Sequence, residues 1–338
     1  MEKNRKKNDS GAAGRKGKSS VLLLIAAVLI LAVGVCVLLY PTVSNYLAEL
    51  RQLRVIEEYE EVVESGEVDY SEEWALAEEY NDSLTGDVVQ DPFVAGSGYT
   101  IPDNYEEVLN ISGDGVMGYL SIPEIDVYLP IYHGTSDEVL EKGVGHVDYS
   151  SLPIGGERSH CILSAHRGLP NAKLFTDLDQ LEIGDRFYIT VLDETLAYEV
   201  DQISVVDPDD FSELQFEKDQ DYVTLITCTP YGVNTQRLLV RGHRVEYTED
   251  EELETTASRK SNMLLKGTLA GILAAAVVVL VVWLVAREVR KVRGKGKKAG
   301  AEQDASPEGS SSGPEESGAG PPDSSTDPPE GGGEGPEG

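Results

Sequence analysis

The chain has 338 residues, and its 60 acidic side chains outnumber 28 basic ones to give a formal charge of -32. The acids lie mainly between two apolar runs and in the far C-terminus, while the bases cluster at 3–18 and 287–298. A surface this acidic repels phosphates and excludes nucleic-acid binding for the bulk of the protein, and the length suits one or two domains.

Residues 1–20 are basic and rich in Gly and Ser, and read as a cytoplasmic tail. At 21–40 a run of about twenty residues without a charge is long enough to cross a hydrocarbon core of roughly 30 Å as a helix. It is too long for the apolar core of a signal peptide, and no small-x-small cleavage site follows it. Val35 before Cys36 argues against a lipoprotein, so an uncleaved anchor is expected. A second uncharged run spans 267–286, with Trp283 near its end. Lys3, Arg5, Lys6, Lys7, Arg15, Lys16 and Lys18 precede the first run; Arg287, Arg290, Lys291, Arg293, Lys295, Lys297 and Lys298 follow the second. The positive-inside rule places both flanks in the cytoplasm. Two spans with both ends inside put roughly 41–262 outside the cell.

Between the spans, 41–114 reads as a helical region and a loop. Val43, Tyr46, Leu47, Leu50, Leu53, Ile56, Tyr59 and Val63 recur at helical spacing, which predicts a helix leaving the membrane at 43–64. Trp74, Leu76 and Tyr80 suggest a second helix in an acidic stretch. Asp91-Pro92-Phe93 and the Gly/Ser residues after it break the helix, predicting an exposed loop at 86–100. From 115 to 245 the pattern changes to short β runs at 116–122, 127–132, 159–165, 186–191, 196–206, 222–227 and 237–245. Short helices are expected near 136–142 and 171–178. Many short strands punctuated by Gly, Pro, Asn and Asp argue for an all-β sandwich or barrel. An acidic stalk at 246–266 leads to the second span. After it, 287–338 is basic and then rich in Gly, Pro, Ser and Glu, a composition that cannot build a core.

Cys36 lies in the first span, which leaves Cys161 and Cys228 outside, where a free thiol is a liability unless it has a role. Cys228 ends the run Thr224-Leu225-Ile226-Thr227, and Pro230 and Gly232 then force a turn. A side chain at a strand end is rigidly held yet reaches solvent, which suits a nucleophile; the alternative is a small buried hydrophobe. Cys161 shares strand parity with Leu163 on a buried face and reads as structural. A reactive thiol needs a base or cation beside it. Of His133, His146, His160, His166 and His243, His166 stands at a strand-to-loop edge, followed by Arg-Gly-Leu-Pro. Acyl transfer also needs a stabiliser for the oxyanion. Arg237 opens the strand after the Tyr231–Gln236 turn and is expected to return alongside Cys228. Arg241 shares its face but reads as an ordinary strand charge. No His/Cys ligand spacing appears, so neither a metal nor another cofactor is expected.

His166 in Ser-Ala-His-Arg-Gly, Cys228 in Thr-Leu-Ile-Thr-Cys and Arg237 after Pro-Tyr-Gly-Val-Asn-Thr together resemble a sortase. The resemblance covers roughly 115–245 and is strongest to the class C, or pilus-assembly, sortases of Gram-positive cells. Further matches are 224–244, Gly-His-Val-Asp-Tyr-Ser-Ser-Leu-Pro-Ile-Gly-Gly at 145–156, and a lid motif at Asp91, Pro92 and Phe93. Gln236 departs from the family, where His is frequent. The resemblance implies a mainly β fold: an eight-stranded sortase-type β-barrel with N-terminal helices, flanked by two transmembrane helices. It implies a membrane-embedded cysteine transpeptidase in which Cys228 attacks the Thr–Gly amide of an LPxTG-like sorting signal. His166 serves as acid and base, Arg237 holds the substrate backbone and oxyanion, and a pilin lysine is the acceptor amine. Two other readings stay open: a sortase anchoring surface proteins to peptidoglycan, and a non-enzymatic adhesion or signalling β-domain. A cysteine protease fits less well, because the Gln-Ala-Cys signature and a Cys-before-His order are both missing.

Overall fold

The computed structural model describes residues 9–65, 69–84, 93, 104–248 and parts of 265–290. Helix α1 (Asp9–Glu64) runs unbroken through Pro41, although a proline inside a helix removes one hydrogen bond and crowds the carbonyl four residues back. Its stretch from Ala26 is long and apolar enough to cross a membrane, and Leu29, Ile30, Val33, Val37 and Leu38 point outward. Beyond Pro41 the same helix docks on the folded domain. The buried face is Ala48, Gln52, Ile56 and Tyr59, a series at three- and four-residue spacing. Val43, Tyr46, Leu47 and Leu50 from the predicted stripe are exposed instead. Docking here selects a small residue and hydrogen bonders over maximal hydrophobicity. Gln52 donates to the Lys142 carbonyl at 3.1 Å and Tyr59 to that of Met117 at 2.9 Å. Helix α2 (Ser71–Ser83) buries Ala77 and Tyr80, and Tyr80 donates to the Asp148 carbonyl.

The remaining elements are β1 (Val116–Ile122), β2 (Val127–His133), helix α3 (Asp137–Lys142), β3 (Val144–His146), β4 (Ser159–Ser164), β5 (Arg186–Val191), β6 (Glu194–Val206), β7 (Asp221–Thr229) and β8 (Gln236–Val245). The eight strands close a barrel in the order β1-β2-β3-β4-β7-β8-β6-β5. Pairs β2–β3 and β4–β7 are parallel, and the other neighbours are antiparallel. This is the barrel that the resemblance implies. The apolar alternation alone misses β3, which is three residues long and lies inside a Gly- and His-containing stretch. The helix expected near 171–178 is instead a set of turns leading to a 3₁₀ turn at Leu178–Gln180. Leu174 has φ 41°, a left-handed conformation from which an α-helix does not propagate.

The buried side chains form three clusters, one of them made by Ile56 and Tyr59 of α1 with Val116, Tyr119 and Tyr132 of β1 and β2. Leu120, Leu163, Phe187, Tyr198, Val223, Leu225 and Val240 belong to the main core. Phe187 and Tyr198 stack with centroids 5.5 Å apart, and a Cβ on Gly242 would come within 2.6 Å of the Phe187 ring, so glycine is required there. Ile162, Ile226 and Leu239 face the other way and build a second cluster under Leu214, Phe211 and Phe216. Toward the C-terminus, Ala275–Arg287 is a short apolar helix among the described residues. The unit that begins at Trp283 carries Arg287 with its guanidinium 5.3 Å from the Trp283 ring.

Candidate active site

Strands β4 and β7 run parallel with Ser164 opposite Ile226. Beyond that pair, the Ala165 N–H donates to the Ile226 carbonyl at 3.2 Å, and the buried Thr227 hydroxyl donates to the Ala165 carbonyl at 2.8 Å. His166 and Cys228 each follow the last paired residue by two positions, so alternation carries both to the same face at the same barrel end. On the other side, β7 pairs with β8, and Cys228 lies directly opposite Arg237. Directly opposed residues of an antiparallel pair project to one face at about 4.5–5.5 Å between Cβ atoms. Three residues drawn from separate stretches of sequence therefore meet at one rim.

That face is shared with Ile226 and Leu239, which floor a narrow cleft lined also by Val206, Phe211, Leu214 and Arg237. Asp207, Pro208 and Asp210 complete the lining, so the cleft is apolar at its floor and carries two carboxylates at its edge. Phe93 packs against the same cluster, with its ring centroid 5.8 Å from that of His166 and the Arg237 guanidinium 5.0 Å from its centre. The phenyl ring lies beside two of the three rim residues. Asp91 and Pro92, the rest of the expected lid, fall outside the described residues.

Burial lowers the pKa of the half-buried His166 below its ordinary value, while the α3 carboxylates of Asp137 and Glu141 pull it the other way. The imidazole is therefore mainly neutral at pH 7. Cys161 is different in every respect. It is 2% exposed in the main core, and burial raises its thiol well above the usual range. The cysteines Cys36, Cys161 and Cys228 form no disulfide. Arg237 donates to the carbonyls of Asn234 and Gln236 at 3.4 and 3.1 Å. Arg241 is held by both carboxylate oxygens of Asp201 at 3.0 Å and lies over the Tyr222 ring at 4.1 Å.

His146 and His160 are fully buried and spoken for. His146 contacts the Tyr105 hydroxyl at 2.9 Å and the Ser151 carbonyl at 2.8 Å, and His160 contacts the Gln215 carbonyl and the Thr224 hydroxyl. His133 is bracketed by the carbonyls of Gly115 and Val108. Among the described residues, no group of three His, Cys, Asp or Glu side chains is arranged to hold a metal ion. Sequence reasoning passed over Arg167, whose side chain is 6% exposed beside His166. The signal was its adjacency to a histidine at a strand end.

A family model described as Sortase domain matches residues 120–245. Sortase D of Bacillus subtilis (strain 168) is 34% identical over 131 residues, covering 38% of this chain and 63% of that protein. The chain thus matches less than two thirds of that relative's length. Among solved structures, sortase C1 from Streptococcus agalactiae is 48% identical with a TM-score of 0.52, covering 58% of this chain and all of that one. The pilus-related sortase C of Group B Streptococcus is 44% identical with a TM-score of 0.51, covering 56% and 97%.

Proposed function

This chain belongs to the sortase family, whose members are cysteine transpeptidases, and we propose that it polymerises pili by joining the acyl group of one pilin to a lysine amine of another. The donor in this reading is an LPxTG-like sorting signal, cleaved between Thr and Gly. The single observation that carries it is the convergence of Cys228, His166 and Arg237 at one rim of the barrel. The class C assignment of the structural neighbours, one of them pilus-related, supports the choice of acceptor.

His166 takes the thiol proton of Cys228 as the sulfur adds to the threonine carbonyl, and Arg237 donates hydrogen bonds to the resulting oxyanion. Collapse breaks the C–N bond, and the imidazolium of His166 gives its proton to the departing glycine amine. The thioester is then attacked by a neutral lysine amine whose proton goes to His166, and the sulfur leaves and takes that proton back. Atoms and charge balance over the cycle: one amide is broken and one isopeptide amide is formed. Phe93 with Asp91 and Pro92 acts in this reading as a lid that withdraws when the signal enters the cleft. The two apolar segments anchor the enzyme, with 41–262 outside and both termini in the cytoplasm. Mass spectrometry of the full chain in detergent, mixed with an LPxTG-type peptide, is expected to find a thioester on Cys228 that a lysine peptide discharges as an isopeptide. Recovery of the donor intact, or a product joined only to a glycine-type or wall-peptide amine, would rule the pilin reading out.

A further inference from the structure

Arg167 directly follows His166, and Thr229 directly follows Cys228. The Arg167 side chain reaches from the first strand end to the second. Its Nη1 donates to the Thr229 hydroxyl at 3.3 Å, its Nε to the Thr176 carbonyl at 3.1 Å, and its Nη2 pairs with the Asp179 carboxylate. The guanidinium lies 5.8 Å from the centre of the Tyr231 ring, in the turn that follows the cysteine. The loop it anchors is closed in other ways: the Phe175 N–H donates to the His166 carbonyl at 3.1 Å, and the Gly168 N–H to the Thr176 hydroxyl at 3.2 Å. Past Ala165 the backbone ladder between β4 and β7 has ended, so side chains take over the spacing of the two strand ends.

We propose that Arg167 is a positioning residue that sets the distance between His166 and Cys228. The role rests on the transpeptidase reading, in which a proton moves at His166 while bonds change at Cys228. A planar fork with fixed donor directions holds three partners in one geometry, which a flexible ammonium cannot. The guanidinium is almost fully covered, whereas Asp179 is 48% exposed. The carboxylate therefore keeps its hydration and serves as one end of a strut. An error of 1 Å between reacting groups costs on the order of 10²-fold in rate.

The test is the pH dependence of Cys228 alkylation by iodoacetamide, in the full chain in detergent micelles. Near pH 5.5 a close imidazolium raises the thiolate fraction, and near pH 9.5 the thiol ionises without help. Arg237, Asp137 and Glu141 also act on this pair and stay in place in every variant. Arg167→Met is expected to lower the ratio of the two rates about fivefold, with the pH 9.5 rate within twofold of wild type and Arg167→Lys intermediate. Thr229→Val removes one hydroxyl only and is expected to lower the ratio about twofold, which covers the case in which Arg167→Met does not fold. Wild-type ratios in Arg167→Met, or in Thr229→Val when Arg167→Met is unfolded, would overturn the proposal, as would equal rate losses at both pH values. Turnover of an LPxTG-type peptide is measured on the same preparations. A wild type that is inactive on peptide while the ratio still falls would sink the transpeptidase reading and leave the positioning role standing.

Discussion

Cys161 and Cys228 lie on neighbouring parallel strands, yet they sit in opposite chemical settings. Cys161 is paired within the ladder opposite Val223 and faces the main core, where burial keeps its thiol protonated. Cys228 lies beyond the end of the β4–β7 ladder, half-buried, on the face that carries Arg237. The histidines divide in the same way. Burial lowers His146 to about 3 and His160 to about 4, and both spend their ring nitrogens on fixed partners. His166 stands past the strand end. Full burial and fixed partners commit His146 and His160 to the fold, while His166 at the rim, also lowered by burial, carries the opposing pull of Asp137 and Glu141.

The sharpest way to break this contrast is to exchange the two thiols' fates. Cys228→Ala is expected to lose all isopeptide formation, whereas Cys161→Ala should keep near-normal kcat and lower the Tm through the small cavity it leaves. An inactive but folded Cys161→Ala beside an active Cys228→Ala would reverse the assignment. Next in size, Arg237→Lys is expected to lower kcat by about 10²–10³, because loss of an oriented oxyanion donor has that cost. Near-normal turnover would transfer the role to backbone amides, since Arg241 is already committed to Asp201.

A smaller effect concerns access to the rim. Burying a phenyl side chain contributes roughly 1.5–3 kcal/mol, enough to hold a loop shut against modest ordering costs. Replacing Asp91 and Phe93 by Ala should speed Cys228 alkylation several-fold and leave the Tm equal or lower. Unchanged alkylation kinetics would remove the lid. The smallest effect probes the interior histidines. Both are held neutral below their ordinary 6.5, so the unfolded chain binds protons first, and stability falls as pH drops from about 6.5 toward 4. Each contributes a slope of about 1.4 kcal/mol per pH unit in that window. Urea unfolding of His160→Gln at pH 7, 6 and 5 should show a shallower pH dependence than wild type; an identical slope would mean that His160 is already protonated when folded.

Much of this was legible in one dimension. Short alternating runs located seven of the eight strands to within a few residues, because burial on one face of a pleat imposes a period of two on the sequence. The strand-end positions of Cys228 and His166 and the hairpin return of Arg237 were also readable, since turn residues mark where regular pairing stops. Other features depended on partners distant in the chain. Strand β3 is too short to show a period and exists because β2 and β4 supply its hydrogen bonds. The apolar spacing at 43–64 located the helix but not its docking face: Ile56 and Tyr59 of that series are buried, Val43, Tyr46, Leu47 and Leu50 are exposed, and Ala48 and Gln52 complete the contact. The helix expected near 171–178 gives way to turns that fold back on His166. Arg167 looks in sequence like any charge beside a glycine. Thr176 and Asp179 come from the loop that follows it, but Thr229 joins them only when β4 and β7 lie side by side. Local sequence determines a residue's backbone and its face, because those follow from sterics and periodicity. Which distant groups a side chain then meets depends on the closure of the barrel, and that closure brought the thiol, the imidazole and the two arginines to one rim.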